Sequence, residues 1–289
     1  MIGKHDRQET DEQMELGVRA IQGARVRYQR LADQLSPPAA GSMLDLERAH
    51  TAREPVDTLV MTHRARSTEN LDRVFEIMID NDNEQLLAYP FSLYSLIRTA
   101  VEAAATSMWL IKSSKKSDRV LRALQLAYRN AQEALRFAEL IKGRGGAAPV
   151  RNGTEKTIER LNQLKDTVGP LRQLDLGPPP SYTAILTAVS PKSRGRTRSG
   201  YEVSSPLVVW KASSAFLHGS EQVMRALSDV RQMNEFTDGV ASFEITPSIQ
   251  MLAVSIRTCV ELIAQLDERY EFLATHDYAG RLVSNGARE

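Results

Sequence analysis

Apolar residues recur at spacings of three and four along most of the chain, the period of a helix face rather than of a strand. From Thr10 to Leu35 the stripe Met14, Val18, Ile21, Arg25, Tyr28 and Ala32 predicts a first long helix, with Leu31 and Leu35 beside it. Pro37-Pro38 closes it, because proline lacks a donor and disfavours helix in the residue before it. Residues 39–53 read as a linker holding a short helical turn around Leu44 to Ala49. Pro55 is a good first-turn residue, and Val56, Leu59, Val60 and His63 share one face of a helix that either continues through Ser67 or breaks there. Leu71, Val74, Phe75, Met78 and Ile79 form an amphipathic repeat, stopped by Asp80-Asn81-Asp82-Asn83, whose side chains compete for backbone groups.

The next segment differs in kind. Between Gln85 and Ile111 only Arg98 and Glu102 are charged, so the helix from about Pro90 to Ile111 reads as the buried centre of a bundle. Ser117 is the expected cap of a helix from Asp118 to Lys142, and Gly143 to Gly153 the loop after it. Thr154 to Leu174 reads as a more polar helix interrupted at Gly169-Pro170, and residues 181–189 as a short helix. Residues 190–205 lack a periodic apolar set and read as a mobile loop. Helices then follow from Pro206 to His218, Glu221 to Met233 and Pro247 to Ala274, with Val240 to Ile245 a strand or ordered loop and a frayed tail from Gly280. The pattern predicts an all-α fold, a single large bundle of seven to nine helices with a mobile basic loop. The helices of residues 91–111 and 247–274 are its expected centre. The expected organisation is an N-terminal helix and linker at 1–53, the bundle at 54–279 and a tail at 280–289, with the first helix outside or supporting a homodimer.

Composition narrows the function. The 289 residues carry 37 Lys and Arg against 36 Asp and Glu, a formal net charge of +1, which excludes a protein that binds polyanions over its whole surface. One cysteine, Cys259, excludes an intrachain disulfide framework and a thiolate zinc cluster. No run of 18 apolar residues occurs and the first residues are polar, so the expected location is the cytoplasm, away from a membrane. No cofactor is expected, since no phosphate loop or dinucleotide fingerprint appears. No metal is expected either, since His5, His50, His63, His218 and His276 lack ligand spacing.

Three constellations carry chemistry. Arg98 and Glu102 stand one helical turn apart in an apolar helix. They are either an ion pair that fixes register or the lining of a polar pocket in which Arg98 holds a phosphate or carboxylate. The hexapeptide IRTAVE at residues 97–102 is echoed by IRTCVE at 256–261, so Arg257 and Glu261 offer a second rung that can reach the first if the helices run antiparallel. Trp210, Ser214 and His218 share one stripe, with His218 near a helix end; a Ser–His pair on one helix, without a nucleophile elbow, is a poor hydrolase signature. Lys192, Arg194, Arg196 and Arg198 crowd a stretch with no acid between Asp175 and Glu202, either a solvated loop or a local phosphate-binding site.

IRTAVEAAATSMWLI, DRVLRALQLAYRNA, WKASSAFLHG and SIQMLAVSIRTCVELI together resemble a family of all-helical proteins of unknown function common in GC-rich bacteria, over roughly Phe91 to Phe272. The wider likeness is to HEPN-type helical domains, many of which are ribonucleases of toxin and phage-defence systems. The resemblance implies an HEPN-like core at about 91–272 and an RNA or protein partner. Those nucleases use an Arg followed after four to six residues by a His, a pattern matched here by Arg269 and His276, although Tyr270 stands where they prefer a polar residue. Three functions are therefore open. The first is an HEPN-like protein that binds a nucleic acid or a protein. The second is a metal-independent ribonuclease using His218 or His276 as acid and base with Arg98 or Arg269 steadying phosphoryl charge. The third is an oligomeric scaffold.

Overall fold

The computed structural model describes residues 8–31, 35–80, 85–141, 147–192 and 202–283. The fold is all-α. In chain order the helices are α1 (Asp11–Gln29), α2 (Met43–Arg48), α3 (Val56–Met78), α4 (Pro90–Ile111), α5 (Lys116–Leu140), α6 (Ala147–Asp166), α7 (Tyr182–Val189), α8 (Pro206–Leu217), α9 (Glu221–Ala226) and α10 (Ile249–Thr275). A 3-10 turn covers Gly169–Leu171. Two antiparallel ribbons complete the described residues: β1 (Ile79–Asp80) with β2 (Gln85–Leu86), and β3 (Ser228–Gln232) with β4 (Phe243–Pro247). Setting aside the six-residue α2 and α9, eight helices remain among the described residues, within the seven to nine expected.

Helix ends follow their local chemistry. Thr10 and Gln13 form a capping box at α1, each side chain satisfying the other's backbone N–H. α1 stops at Gln29, well before Pro37-Pro38, so the prolines do not terminate it. α3 runs unbroken through Ser67, and the hydroxyl of Ser67 donates to the Ala100 carbonyl. α5 starts two residues earlier than expected, and Lys115, not Ser117, is its N-cap, without a side-chain cap bond. α6 starts at Ala147 inside the expected loop and ends at Asp166, the 3-10 turn holding Gly169-Pro170 as the expected interruption. Ser205 caps α8, and Gly219, at φ 65°, closes it: Ser220 N–H bonds Ala215 O and Gly219 N–H bonds Phe216 O, a Schellman ending.

The expected helix from Glu221 to Met233 is a correction. Only Glu221–Ala226 is helical; Ser228–Gln232 instead pairs with Phe243–Pro247, with Val230 opposite Ile245. A partner strand in register outweighs a weak helical tendency.

The chain groups into two compact units. The first comprises residues 1–33, 63–105 and 186–266; the second comprises 34–62, 106–185 and 267–289. In the first, α1 lays Gly17, Ile21 and Ala24 inward. Gly17 is required by contact, since a Cβ there would stand 2.8 Å from Ile249 Cγ2 and 3.0 Å from its carbonyl carbon. Tyr94 stacks on Phe216 at 4.0 Å between ring centroids, joining α4 to α8. In the second unit, Val120, Leu124 and Ala127 of α5 pack with Leu161, Leu164, Val168 and Leu171 of the α6 region. By length and mean hydropathy α10 would pass for a membrane span, yet more than half of its most apolar window is buried within the fold.

Candidate functional site

Arg98 and Glu102 lie on one face of α4, and Trp210 and Ser214 on the facing stripe of α8. Each helix offers two side chains one turn apart, and the two pairs interlock. Arg98 Nε donates to Ser214 Oγ at 3.0 Å, Arg98 Nη2 lies 3.3 Å from Glu102 Oε2, and Trp210 Nε1 donates to Glu102 Oε2 at 3.0 Å. The guanidinium carbon sits 5.2 Å from the centroid of the Trp210 ring. Because Arg98 meets Ser214 while Glu102 meets Trp210, the two helix segments run antiparallel. Glu102 is buried, whereas the Arg98 side chain keeps 28% of its surface in solvent.

This arrangement fixes what Ser214 can do. A hydroxyl has one proton to donate. Ser214 gives it to the Trp210 carbonyl at 2.8 Å and accepts from Arg98, so its lone proton is not directed at His218. His218 is the exposed C-cap of α8, and its backbone N–H bonds Ser214 O at 3.0 Å. Ser214 is thus a bridge between Arg98 and its own helix, without the base contact that nucleophilic chemistry needs.

The second rung is elsewhere. Arg257 and Glu261 lie 3.4 Å apart with side chains 55% and 38% exposed, and Arg27 of α1 is 3.8 Å from the same carboxylate. The two hexapeptides meet instead through their apolar sides, where the Cys259 thiol points at Ile97 O at 3.9 Å. The echo therefore places one rung against α8 and the other on an open face. Burial pushes the Cys259 thiol well above its ordinary range, which keeps it protonated and inert.

Arg269 and His276 both lie against the Phe272 ring, the Arg269 guanidinium carbon 5.6 Å from its centroid, but their hydrogen bonds go to other partners. Arg269 Nε donates to Ile111 O at 3.0 Å and Nη2 to Ser113 O at 3.1 Å, closing the C-terminal end of α4. Burial, and then the nearby Arg119 charge, hold the Arg269 guanidinium below its usual value. His276 turns to its own helix: its Nδ1 is 3.1 Å from Phe272 O and 3.0 Å from Thr275 Oγ1, and its ring stacks on Phe272 at 4.5 Å. Lys192 is exposed; Arg194, Arg196, Arg198 and the rest of the basic stretch up to residue 201 lie outside the described residues. Among the described residues no group of three or more His, Cys, Asp or Glu stands together as metal ligands.

The second unit holds a stronger polar cluster that the pattern of the chain did not single out. Arg119 and Glu47 are both fully buried. Arg119 Nε lies 3.0 and 3.2 Å from the two Glu47 oxygens, and Nη2 also bonds Oε1. Tyr278 donates to Glu47 Oε1 at 2.6 Å, and Arg119 Nη1 donates to Ser113 O at 2.7 Å. Burial, and then the Glu47 bond, push the Tyr278 phenol up. A fully bonded buried pair of this kind holds segments in register. A local signal did exist: from Arg119 the helical steps of four and seven land on buried Ala123 and Leu126, so the position faces inward.

No family model matches the chain, and no curated protein or solved structure matches it either.

Proposed function

We propose that the chain is an HEPN-like helical protein that binds a protein partner and uses the Arg98 cluster as a pin between helices rather than as a catalytic site. The observation that carries this reading is that Arg98 Nε and Nη2 are engaged by Ser214 and Glu102, while Glu102 also accepts from Trp210 and Ser214 donates to its own helix. An Arg that must clamp a phosphate needs paired donors aimed at the ligand, whereas two of the three Arg98 nitrogens are aimed at protein. The HEPN-like assignment rests on the sequence segments around Arg98, Trp210 and Arg257. A protein partner is favoured by Phe137 and Leu140, which stand three residues apart on one face of α5 and are 63% and 84% exposed, on a chain of nearly zero net charge.

Two parallel measurements test this. Tagged chain is crosslinked in its native cell, chemically to protein and by ultraviolet light to RNA. A defined protein adduct mapping to the exposed apolar positions supports the reading, and RNA adducts concentrated at residues 192–198 would move it to a nucleic-acid partner. Mixed RNA is also incubated with wild type, His218→Ala and His276→Ala without metal. Equal or absent cleavage in all three is expected. Cleavage by wild type alone, lost in either variant, would establish the metal-independent ribonuclease.

A further inference from the structure

One face of α1 is left open beside a groove. A groove of about 320 Å³ runs between α1 and the first turns of α10, walled by Leu16, Gly17 and Ala20 on one side and Ala253, Val254 and Arg257 on the other. Leu16 is 53% exposed at its rim. Along the same side of α1 the positions 12, 16, 20, 23, 27 and 30 are spaced by three and four, so Glu12, Leu16, Ala20, Gly23, Arg27 and Arg30 form one stripe. Gly23 is exposed, and a Cβ added there meets nothing within 4 Å. The middle of the stripe is therefore small and open, and another backbone can come close.

Charge selects the occupant. The first part of α1 carries Asp11, Glu12 and Glu15; the later part and its cap carry Arg19, Arg25, Arg27 and Arg30. A parallel helix of the same sequence would set like charges together. An antiparallel one crossing at Ala20 and Gly23 sets the acidic half of each helix against the basic half of the other and opposes the two helix dipoles. It brings Glu12 toward the second copy's Arg30 and Leu16 over the aliphatic stem of the second copy's Arg27, twice by symmetry. We infer that α1 is the isologous interface of a homodimer, with the α1 helices antiparallel and in closest contact at Ala20 and Gly23. This interface is independent of the role given to the Arg98 cluster.

The experiment is sedimentation velocity on the full chain across micromolar concentrations at low and high salt. Wild type is expected to dimerise, less tightly as salt rises. Gly23→Trp starts from a Cβ position that meets nothing within 4 Å but blocks the crossing, so its circular dichroism melt should be no lower than that of dilute wild type while the dissociation constant rises at least about tenfold. Glu12→Arg and Arg30→Glu should each weaken the dimer, and the doubly reversed chain should regain it. A wild-type chain that stays monomeric at every concentration, or a Gly23→Trp dimer as tight as wild type, would overturn the assignment.

Discussion

At the scale of single residues, charge and burial settle roles that residue type leaves open. His50 has no motif around it, yet its surroundings act on its charge. Its Nδ1 is 2.7 Å from Thr167 Oγ1. Burial, and then the Lys116 ammonium, hold its imidazole below the ordinary value, with Glu47 opposing them. A base whose folded pKa is depressed binds protons more readily when unfolded, so its contribution to stability is complete above about pH 6.5 and erodes as the pH falls below it. Urea unfolding at pH 7.5 and pH 5.5 should show wild type losing more stability over that interval than His50→Gln. Equal losses would mean that the ring is as well solvated in the folded chain as in the unfolded one. His218 and His276, marked out by spacing, lie at helix ends where spacing alone could not say what they touch. The same limit applied to Ser214: its place on the Trp210 stripe was legible, whereas the direction of its proton was not, because that depends on Arg98, 116 residues away.

At the scale of elements, periodicity was a good guide wherever an apolar face packs. α4 was legible to within a residue at both ends, because Pro90 opens it and an apolar run fills it. α9 and β3 were misread as one helix because the cause of the strand lies in β4, outside any local window. Contacts between elements were the least legible, and Gly17 and Gly23 show why. Both are glycines in one helix, six residues apart. Gly17 faces Ile249 with no space for a methyl group, while Gly23 faces open space. Gly17→Ala should therefore destabilise by about 1–3 kcal/mol through overpacking. Gly23→Ala should stabilise by about 0.5–1 kcal/mol, the ordinary helix-propensity gain. Thermal melts of the two variants at low concentration check the opposite signs; a shift of the same sign in both would mean that α1 does not rest on α10 through Gly17. Glu9 reinforces that seat, since its carboxylate accepts from the backbone N–H groups of Ile249 and Gln250 at 2.8 and 3.0 Å and so meets the positive end of α10.

At the scale of the whole chain, residues distant in sequence are tied by a few polar contacts within each unit, and the Glu47–Arg119–Tyr278 cluster is a fully buried tie of this kind. It joins α2, α5 and the segment after α10, across separations of 72 and 231 residues. Neither ion of the pair is in contact with solvent, so removing one leaves the other buried without its counter-charge. Arg119→Met should cost about 3–5 kcal/mol, and Glu47→Leu a similar amount, because each strands a charge. The double variant Arg119→Met with Glu47→Leu should recover most of that loss, since two apolar side chains of similar volume remove the desolvation penalty together with the attraction. Tyr278→Phe should cost less, about 1–2 kcal/mol, because it takes one hydrogen bond from a carboxylate that keeps its Arg. Urea unfolding followed by circular dichroism reads all four variants. A single Arg119→Met loss below about 1 kcal/mol would mean that the cluster does not hold these segments, whereas additive single losses in the double variant would mean that the two residues act separately.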